Sequence, residues 1–329
     1  MKQEISIAGL TARSGEKVSG WLPIGEKPAS RYSLPLTIIN GSNDGPILTI
    51  ISGQHGTEYV GIAAAVEMTR RIDPSSLSGA ILVVPVVNVA GFEQRTRLAF
   101  PIEDDFSGTR NLNRIWPGDP NGSLAHVTMH ILFNEVVMMG QYLLDLHGGD
   151  IFEYLNPCTM ITKIGKPEID AATLSLAEAI GYDYIIESTA WQNERGRSKT
   201  EGGLVGVASV VVETGDQGKL DEKLVEKTIS GVMNGLKSLK MIEGSVTPKK
   251  DYRVVYDMLK VKSKIGGLYY QKVPVGSIVQ KGQKLGYVVS IDGKNVEDVL
   301  AIEPGLLIES FCNPAVHTGE TLAEIALLR

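Results

Sequence analysis

Apolar positions along this chain gather into short continuous runs separated by longer stretches in which they recur at helical intervals. Residues 46–52 (PILTIIS) and 80–87 (AILVVPVV) are apolar runs rich in β-branched side chains, and residues 58–72 between them space Ala, Ile and Met three or four apart. That pattern is strand, helix, strand. It recurs as a helical stretch after Ala125, a run at 142–146, a helix around 167–180 and a run at 208–212. Strands that are apolar on both sides, alternating with amphipathic helices, predict an α/β fold: a mostly parallel or mixed sheet flanked by helices. A last helix is expected over 221–239, and the polar stretch 245–250 reads as a linker.

Beyond residue 250 the texture changes to short β-like runs punctuated by Gly266, Gly267, Gly276, Gly282, Gly286, Gly293, Gly305 and Gly319. Glycine turns at such intervals predict a compact all-β module. We therefore expect two domains, residues 1–247 carrying the chemistry and residues 248–329 forming a small β domain. No low-complexity segment or short-period repeat interrupts either part.

Composition narrows the function classes. The 329 residues are 43% hydrophobic and 21% charged, with a mean hydropathy of +0.03, ordinary values for a globular chain. A formal charge of -6 and no basic stripe argue against a nucleic-acid partner and for a small solute. The N-terminus lacks the apolar core of a signal peptide, and no run approaches the ~20 apolar residues of a membrane span. A cytoplasmic protein is expected, with self-association into a homo-oligomer left open. Cys158 and Cys312 stand far apart without a CxxC, so they read as buried small apolar residues rather than a disulfide or thiolate metal site.

The segment Ser52-Gly53-Gln54-His55-Gly56-Thr57-Glu58 falls where an expected strand turns into an expected helix, the edge at which α/β sheets build their sites. An imidazole and a carboxylate three residues apart across such a turn can converge on one Zn²⁺; read alone, the pair also fits a helix-capping loop. A catalytic zinc needs a third ligand, and His147 in Asp145-Leu146-His147-Gly148-Gly149 ends the next apolar run. Asp145, two residues earlier, points to the same side of a strand and could hydrogen-bond the imidazole. A structural histidine and a solvated aspartate remain the plain alternatives. Glu213 closes a third run, where a general base would stand to deprotonate an attacking water and pass the proton to a leaving nitrogen; a loop-facing charge is the alternative. Three such groups at three strand ends are less easily coincidence than any one.

Asn111-Leu112-Asn113-Arg114-Ile115-Trp116-Pro117-Gly118 lies in a long irregular connection, preceded by Arg97 and Arg110. An arginine there offers a planar fork for a substrate carboxylate, and a second near the metal can hold an oxyanion; each could equally be a solvated charge. Trp116-Pro117-Gly118 reads as a packed turn. His126 and His130 are four apart on an expected helix, without an acidic third ligand, and His317 reads as a turn residue.

Together His55-Gly56-Thr57-Glu58 followed by Gly61, Asn113-Arg114 in NLNRIWPG, Asp145-Leu146-His147 and Glu213-Thr214-Gly215 resemble the succinylglutamate desuccinylase/aspartoacylase family, a branch of the zinc carboxypeptidase-like hydrolases, over about residues 40 to 325. The resemblance implies one Zn²⁺ per chain on His55, Glu58 and His147, Glu213 as the catalytic carboxylate, and Asn113 and Arg114 as binders of a substrate carboxylate. The family's D-L-N-R motif has Asn111 in place of its Asp here. For the oxyanion arginine the resemblance favours Arg97, with Arg110 in reserve. The C-terminal module resembles the family's appended β domain, with turns at 276–282 and 303–305 like those of biotinyl/lipoyl-type folds.

The implied activity is hydrolysis of the amide of an N-acyl amino acid or a similar small amide with a free carboxylate. A zinc carboxypeptidase acting on short peptides is the alternative. Two rivals of another kind are a zinc-free binding protein and a carrier acylated on a lysine. At the hairpin a carrier would use, this chain has Asp292-Gly293-Lys294-Asn295, which reads as a turn. The segment 191–203, charged and glycine-bearing, reads as either a mobile flap ahead of the Glu213 strand or a solvated loop.

Overall fold

The computed structural model describes residues 4–98, 111–190 and 194–329. Its centre is one large mixed sheet whose strands run, edge to edge, Glu16–Lys27, Ser30–Asn40, Ser78–Val84, Asn43–Ser52, Tyr142–His147, Ala208–Glu213, Cys158–Lys163, Tyr184–Thr189, Arg253–Lys262, Thr321–Leu328, Gly305–Phe311 and Ile278–Val279. The four strands from Ser78–Val84 to Ala208–Glu213 are mutually parallel. Antiparallel pairs then join this block to Cys158–Lys163 on one side and to the N-terminal hairpin on the other. The expected α/β class and its strand–helix order hold.

Six α-helices are described: α1 (Tyr59–Arg71), α2 (Val89–Gln94), α3 (Leu124–Glu135), α4 (Pro167–Ile180), α5 (Ser198–Leu204) and α6 (Glu222–Ser238). One face of the sheet is covered by α1, α4 and α6, through Ala64, Ala65, Met68, Leu176, Ile180, Ile229, Val232 and Leu236, all buried against Ile50, Leu144, Val210 and Val212. The other face packs Met129, Leu132 and Phe133 of α3 against Leu34, Leu36 and Leu82. Buried on both faces, the central strands have no room for polar alternation, which is why they read as unbroken apolar runs. Each fully buried Leu or Ile contributes roughly 1.5–3 kcal/mol.

The linker expected at 245–250 is irregular coil. The strand after it, Arg253–Lys262, is hydrogen-bonded in parallel to Tyr184–Thr189 and antiparallel to Thr321–Leu328, so the C-terminal portion extends the main sheet. A second sheet of Val296–Leu300, Lys284–Val289, Gly267–Gln271 and Ala315–Val316 faces it. Val261, Val279, Leu285, Val288, Val299, Leu307, Leu322 and Ile325 fill the space between. Lys294 is exposed in the turn expected for it, its backbone N–H donating to Asp292 Oδ1.

Where α1 crosses the sheet its backbone comes unusually close. A Cβ added at Gly61 would stand 2.8 Å from the Leu146 carbonyl oxygen and 2.8 Å from Ser52 Oγ, and Ser52 Oγ already donates to Leu146 O at 2.8 Å. Backbone cannot yield as a side-chain tip can, so Gly61→Ala should destabilise the protein by about 1–3 kcal/mol. Urea unfolding measures this; an unchanged midpoint would mean that α1 can lift off the strand ends freely.

Candidate active site

The turn after Asn43–Ser52 uses Gly53 at φ +63 to reverse direction and Gly56 to pass the α2 backbone, where a Cβ would lie 2.3 Å from Gly91 C. It delivers His55 and Glu58, the latter at the N-terminus of α1. The parallel neighbour Tyr142–His147 delivers His147 to the same edge. His55 Nδ1 lies 2.5 Å from Glu58 Oε1, and His147 Nδ1 lies 2.8 Å from Glu58 Oε2. The two rings sit 5.0 Å apart at 67°. All three side chains are 2–5% exposed, and their donor atoms lie within 4.8 Å of one another.

Each imidazole is held from behind. His55 Nε2 is 3.1 Å from Asn111 Oδ1, which also accepts the Asn113 N–H at 2.9 Å and so shapes the turn Leu112–Arg114. His147 Nε2 is 3.1 Å from Asp145 Oδ1. The other oxygen of Asp145 accepts from Gln54 Nε2 at 2.5 Å and from Ser198 Oγ. Gln54 Oε1 in turn accepts from Trp116 Nε1 at 2.8 Å. Burial alone would push Glu58 up, but the charges and hydrogen bonds of His55 and His147 hold it well below the usual carboxylate range. Burial opposes charge on His147 too, yet Asp145 and Glu58 raise it well above the ordinary imidazole value.

These donors fit a zinc ion. Two imidazole Nδ1 atoms and a carboxylate are a borderline-soft N/O set, with His55 Nε2 facing Asn111 Oδ1 and His147 Nε2 lying between Asp145 Oδ1 at 3.1 Å and Gln54 Nε2 at 3.2 Å. Both oxygens of Glu58 are buried against imidazole nitrogens, Oε1 on His55 and Oε2 on His147, an arrangement that a shared cation would neutralise.

The remaining sequence candidates are partly drawn in. Arg97 Nη1 lies 3.5 Å from Glu58 Oε1, 3.3 Å from Asp150 Oδ2 and 3.5 Å from Glu153 Oε2, and these carboxylates raise its already high pKa although burial opposes them. Arg110 lies outside the described residues. Arg114 Nη1 donates to Asn113 O at 2.6 Å, and Asn113 Oδ1 accepts the Ser198 N–H at 3.4 Å. Burial, then repulsion from Arg197 and Arg97, lowers the pKa of Arg114. Glu213 is paired in register with His147 across the parallel strands. Burial pushes its carboxyl up to about 8, His147 opposes this, and Glu58, Glu153 and Asp145 add to it.

His126 and His130 instead bond locally on α3, to Ser123 and Asn134, and His317 is exposed. Cys158 is buried as expected, whereas Cys312 is only half-buried. The packed turn holds, with Trp116 buried before a cis Pro117.

Of the segment 191–203, residues 191–193 lie outside the described residues, and the remainder is not a solvated loop. Ser198, Lys199, Thr200 and Glu201 are buried in α5. Its buried charges are paired: Lys199 Nζ with Glu194 Oε2 at 2.6 Å, and Glu201 with the exposed Arg195 at 2.6 Å. Gln54, Ser198 and Arg197 went unrecognised in the sequence, and only Gln54 carried a signal, its place beside His55.

The mixed α/β sheet that carries this His-Glu-His edge has a carboxypeptidase-like fold. Residues 44–239 match the model of the succinylglutamate desuccinylase/aspartoacylase catalytic domain. The chain belongs to that family, whose members are amide-bond hydrolases. It is 27% identical over 299 residues to the N-alpha-acetyl-L-2,4-diaminobutyric acid deacetylase of Halomonas elongata, spanning 89% of this chain and 85% of that protein. The product-bound ectoine utilization protein EutE (DoeB) of Ruegeria pomeroyi superposes with a TM-score of 0.85 at 22% identity, covering 96% of both chains. Bovine thrombin-activatable fibrinolysis inhibitor, solved with a tick carboxypeptidase inhibitor, superposes at 0.50 and 14% identity over 67% of this chain and 88% of that one.

Two measurements probe the site's scaffold. Trp116→Phe leaves Gln54 Oε1 buried without its donor and should cost about 1–3 kcal/mol; an unaltered urea midpoint would show that the bond is dispensable. In chelated protein, an unfolded Glu213 titrates near 4.5 and the folded one near 8. Between these values the unfolded chain has lost a proton that the native state keeps, so stability falls as pH rises. Glu213→Gln should flatten that fall between pH 5 and 8, and parallel curves for the two proteins would contradict it.

Proposed function

We propose that this protein is a zinc-dependent deacylase that hydrolyses the amide bond of small N-acyl amino acids carrying a free carboxylate. The observation that carries the reading is the buried His55, Glu58 and His147 cluster, whose ligand atoms lie within 4.8 Å of one another. Zinc held there would supply Lewis acidity, polarising the scissile carbonyl and easing ionisation of water. Glu213, on the strand beside His147, takes the proton of the attacking water and hands it to the leaving nitrogen. A dication nearby would draw the Glu213 carboxyl back down towards the ionised form that this step needs. Arg97 steadies the developing oxyanion, exchanging its contacts with Glu58, Asp150 and Glu153 for the substrate oxygen.

Arg114 and Arg197, with Asn113 beside them, form the cationic side of the cleft and hold the substrate carboxylate. The opposite side is acidic. Glu153 and Glu309 crowd towards Glu213, and burial followed by Glu153, Glu324 and Glu213 pushes Glu309 up to about 8. A substrate ammonium would relieve that repulsion and a second carboxylate would add to it, so N-acetylated amino acids with a neutral or basic end, such as the substrate of the Halomonas relative, are favoured over N-succinyl ones. Glu309 belongs to Gly305–Phe311, which is hydrogen-bonded to Glu153–Leu155 just beyond the His147 loop. This supports a β module, residues 248–329, that narrows access and disfavours peptides.

Metal analysis should find about one zinc per chain, and hydrolysis of an N-acyl amino acid panel should exceed cleavage of short peptides. Glu213→Gln should keep the metal and lose about 10²-fold or more in kcat. Preferential peptide cleavage would make the protein a carboxypeptidase, and a protein purified without metal that binds none would overturn the reading.

A further inference from the structure

Lys199 is the buried cation of α5, its side chain 5% exposed. Its ammonium donates to Thr162 Oγ1 at 2.8 Å, Ser188 Oγ at 2.9 Å and Glu194 Oε2 at 2.6 Å. Three donors meet three acceptors, so no proton is left for a ligand. Two of the acceptors are anchored in the sheet, because Thr162 and Ser188 are register partners on the parallel strands Cys158–Lys163 and Tyr184–Thr189.

The third acceptor faces the other way. Glu194 Oε2 also stands 3.5 Å from Arg197 Nε, a buried nitrogen without a hydrogen bond of its own. Among the described residues no side chain accepts a hydrogen bond from the terminal nitrogens of Arg197. Arg197 and Lys199 line a cavity of about 210 Å³ together with the carboxylates Glu187, Glu194 and Asp257. One edge of the guanidinium is thus tethered while its fork is left for an anion.

Building on the deacylase reading, we propose that Lys199 is a positioning residue for the substrate carboxylate: it clamps Glu194 to the sheet, and Glu194 sets the orientation of Arg197. The clamp has an electrostatic side as well. With Lys199 present, the charge of Glu194 is already balanced, so Arg197 and Arg114 keep their positive potential for the ligand. Without it, Glu194 is free to swing onto the two arginines and occupy the site meant for a carboxylate.

The test compares N-acetyl-2,4-diaminobutyrate with its carboxamide analogue, which has the same scissile bond and no carboxylate. Lys199→Met removes the ammonium and keeps most of the stem. It should raise KM for the carboxylate substrate about tenfold or more while kcat changes little. The carboxamide should lose far less, and zinc content should stay at the wild-type level. Thr162→Val, which removes one anchor and keeps the Lys199 to Glu194 pair, should shift KM the same way by a smaller factor; it stands in should Lys199→Met fail to fold. Equal losses on both substrates, or an unchanged KM, would reduce Lys199 to a structural residue. Arg197→Met is measured alongside: if it leaves KM unchanged, the carboxylate reading itself fails, and if it raises KM while the Lys199 and Thr162 variants do not, only the positioning role falls.

Discussion

A carboxylate and two imidazoles buried together at one end of a sheet are costly, since each charge taken out of water loses several kcal/mol of solvation that only close partners return. Much of the catalytic half is arranged around the charge of Glu58. The two histidines meet it through Nδ1, Asn111 and Asp145 sit behind them, and Gln54 and Trp116 carry the network into the core. The ligand atoms of the three residues lie within 4.8 Å of one another, close enough for one ion. A divalent cation bound by these atoms would turn an expensive buried anion into a ligand.

Charge is also sorted around that centre. Arg114 and Arg197 repel each other, as do Glu153, Glu309 and Glu213, so like charges are brought close enough to shift one another's pKa. Groupings of this kind oppose folding and persist where a ligand completes them. Arg97 is set among three carboxylates.

The C-terminal portion takes part in this arrangement through backbone pairing. Arg253–Lys262 extends the main sheet, and Gly305–Phe311 pairs with Glu153–Leu155, so the β module is held beside the cleft by hydrogen bonds as well as by apolar packing.

Local sequence was enough to find the strands at 43–52, 142–147 and 208–213, the helices at 167–180 and 222–238, and the edge on which His55, Glu58, His147 and Glu213 gather. Doubly buried strands and one-faced helices print their burial directly into the order of apolar residues, and residues that end such strands share an edge. The N-terminal hairpin escaped because Glu16–Lys27 has an exposed face and mixes polar, apolar, Gly and Pro residues, leaving no continuous apolar run. The burial of Lys199 in the segment from Glu194 to Leu204 was not legible for a sharper reason. Five charges in eight residues ordinarily mean solvent, yet Lys199 is buried, because Thr162 and Ser188, brought side by side by strands some twenty-five residues apart, supply acceptors that no neighbour in sequence could. Whether a charged side chain is buried depends on partners remote along the chain, so the pairing of Lys199, Glu194 and Arg197 was decided by the tertiary structure alone.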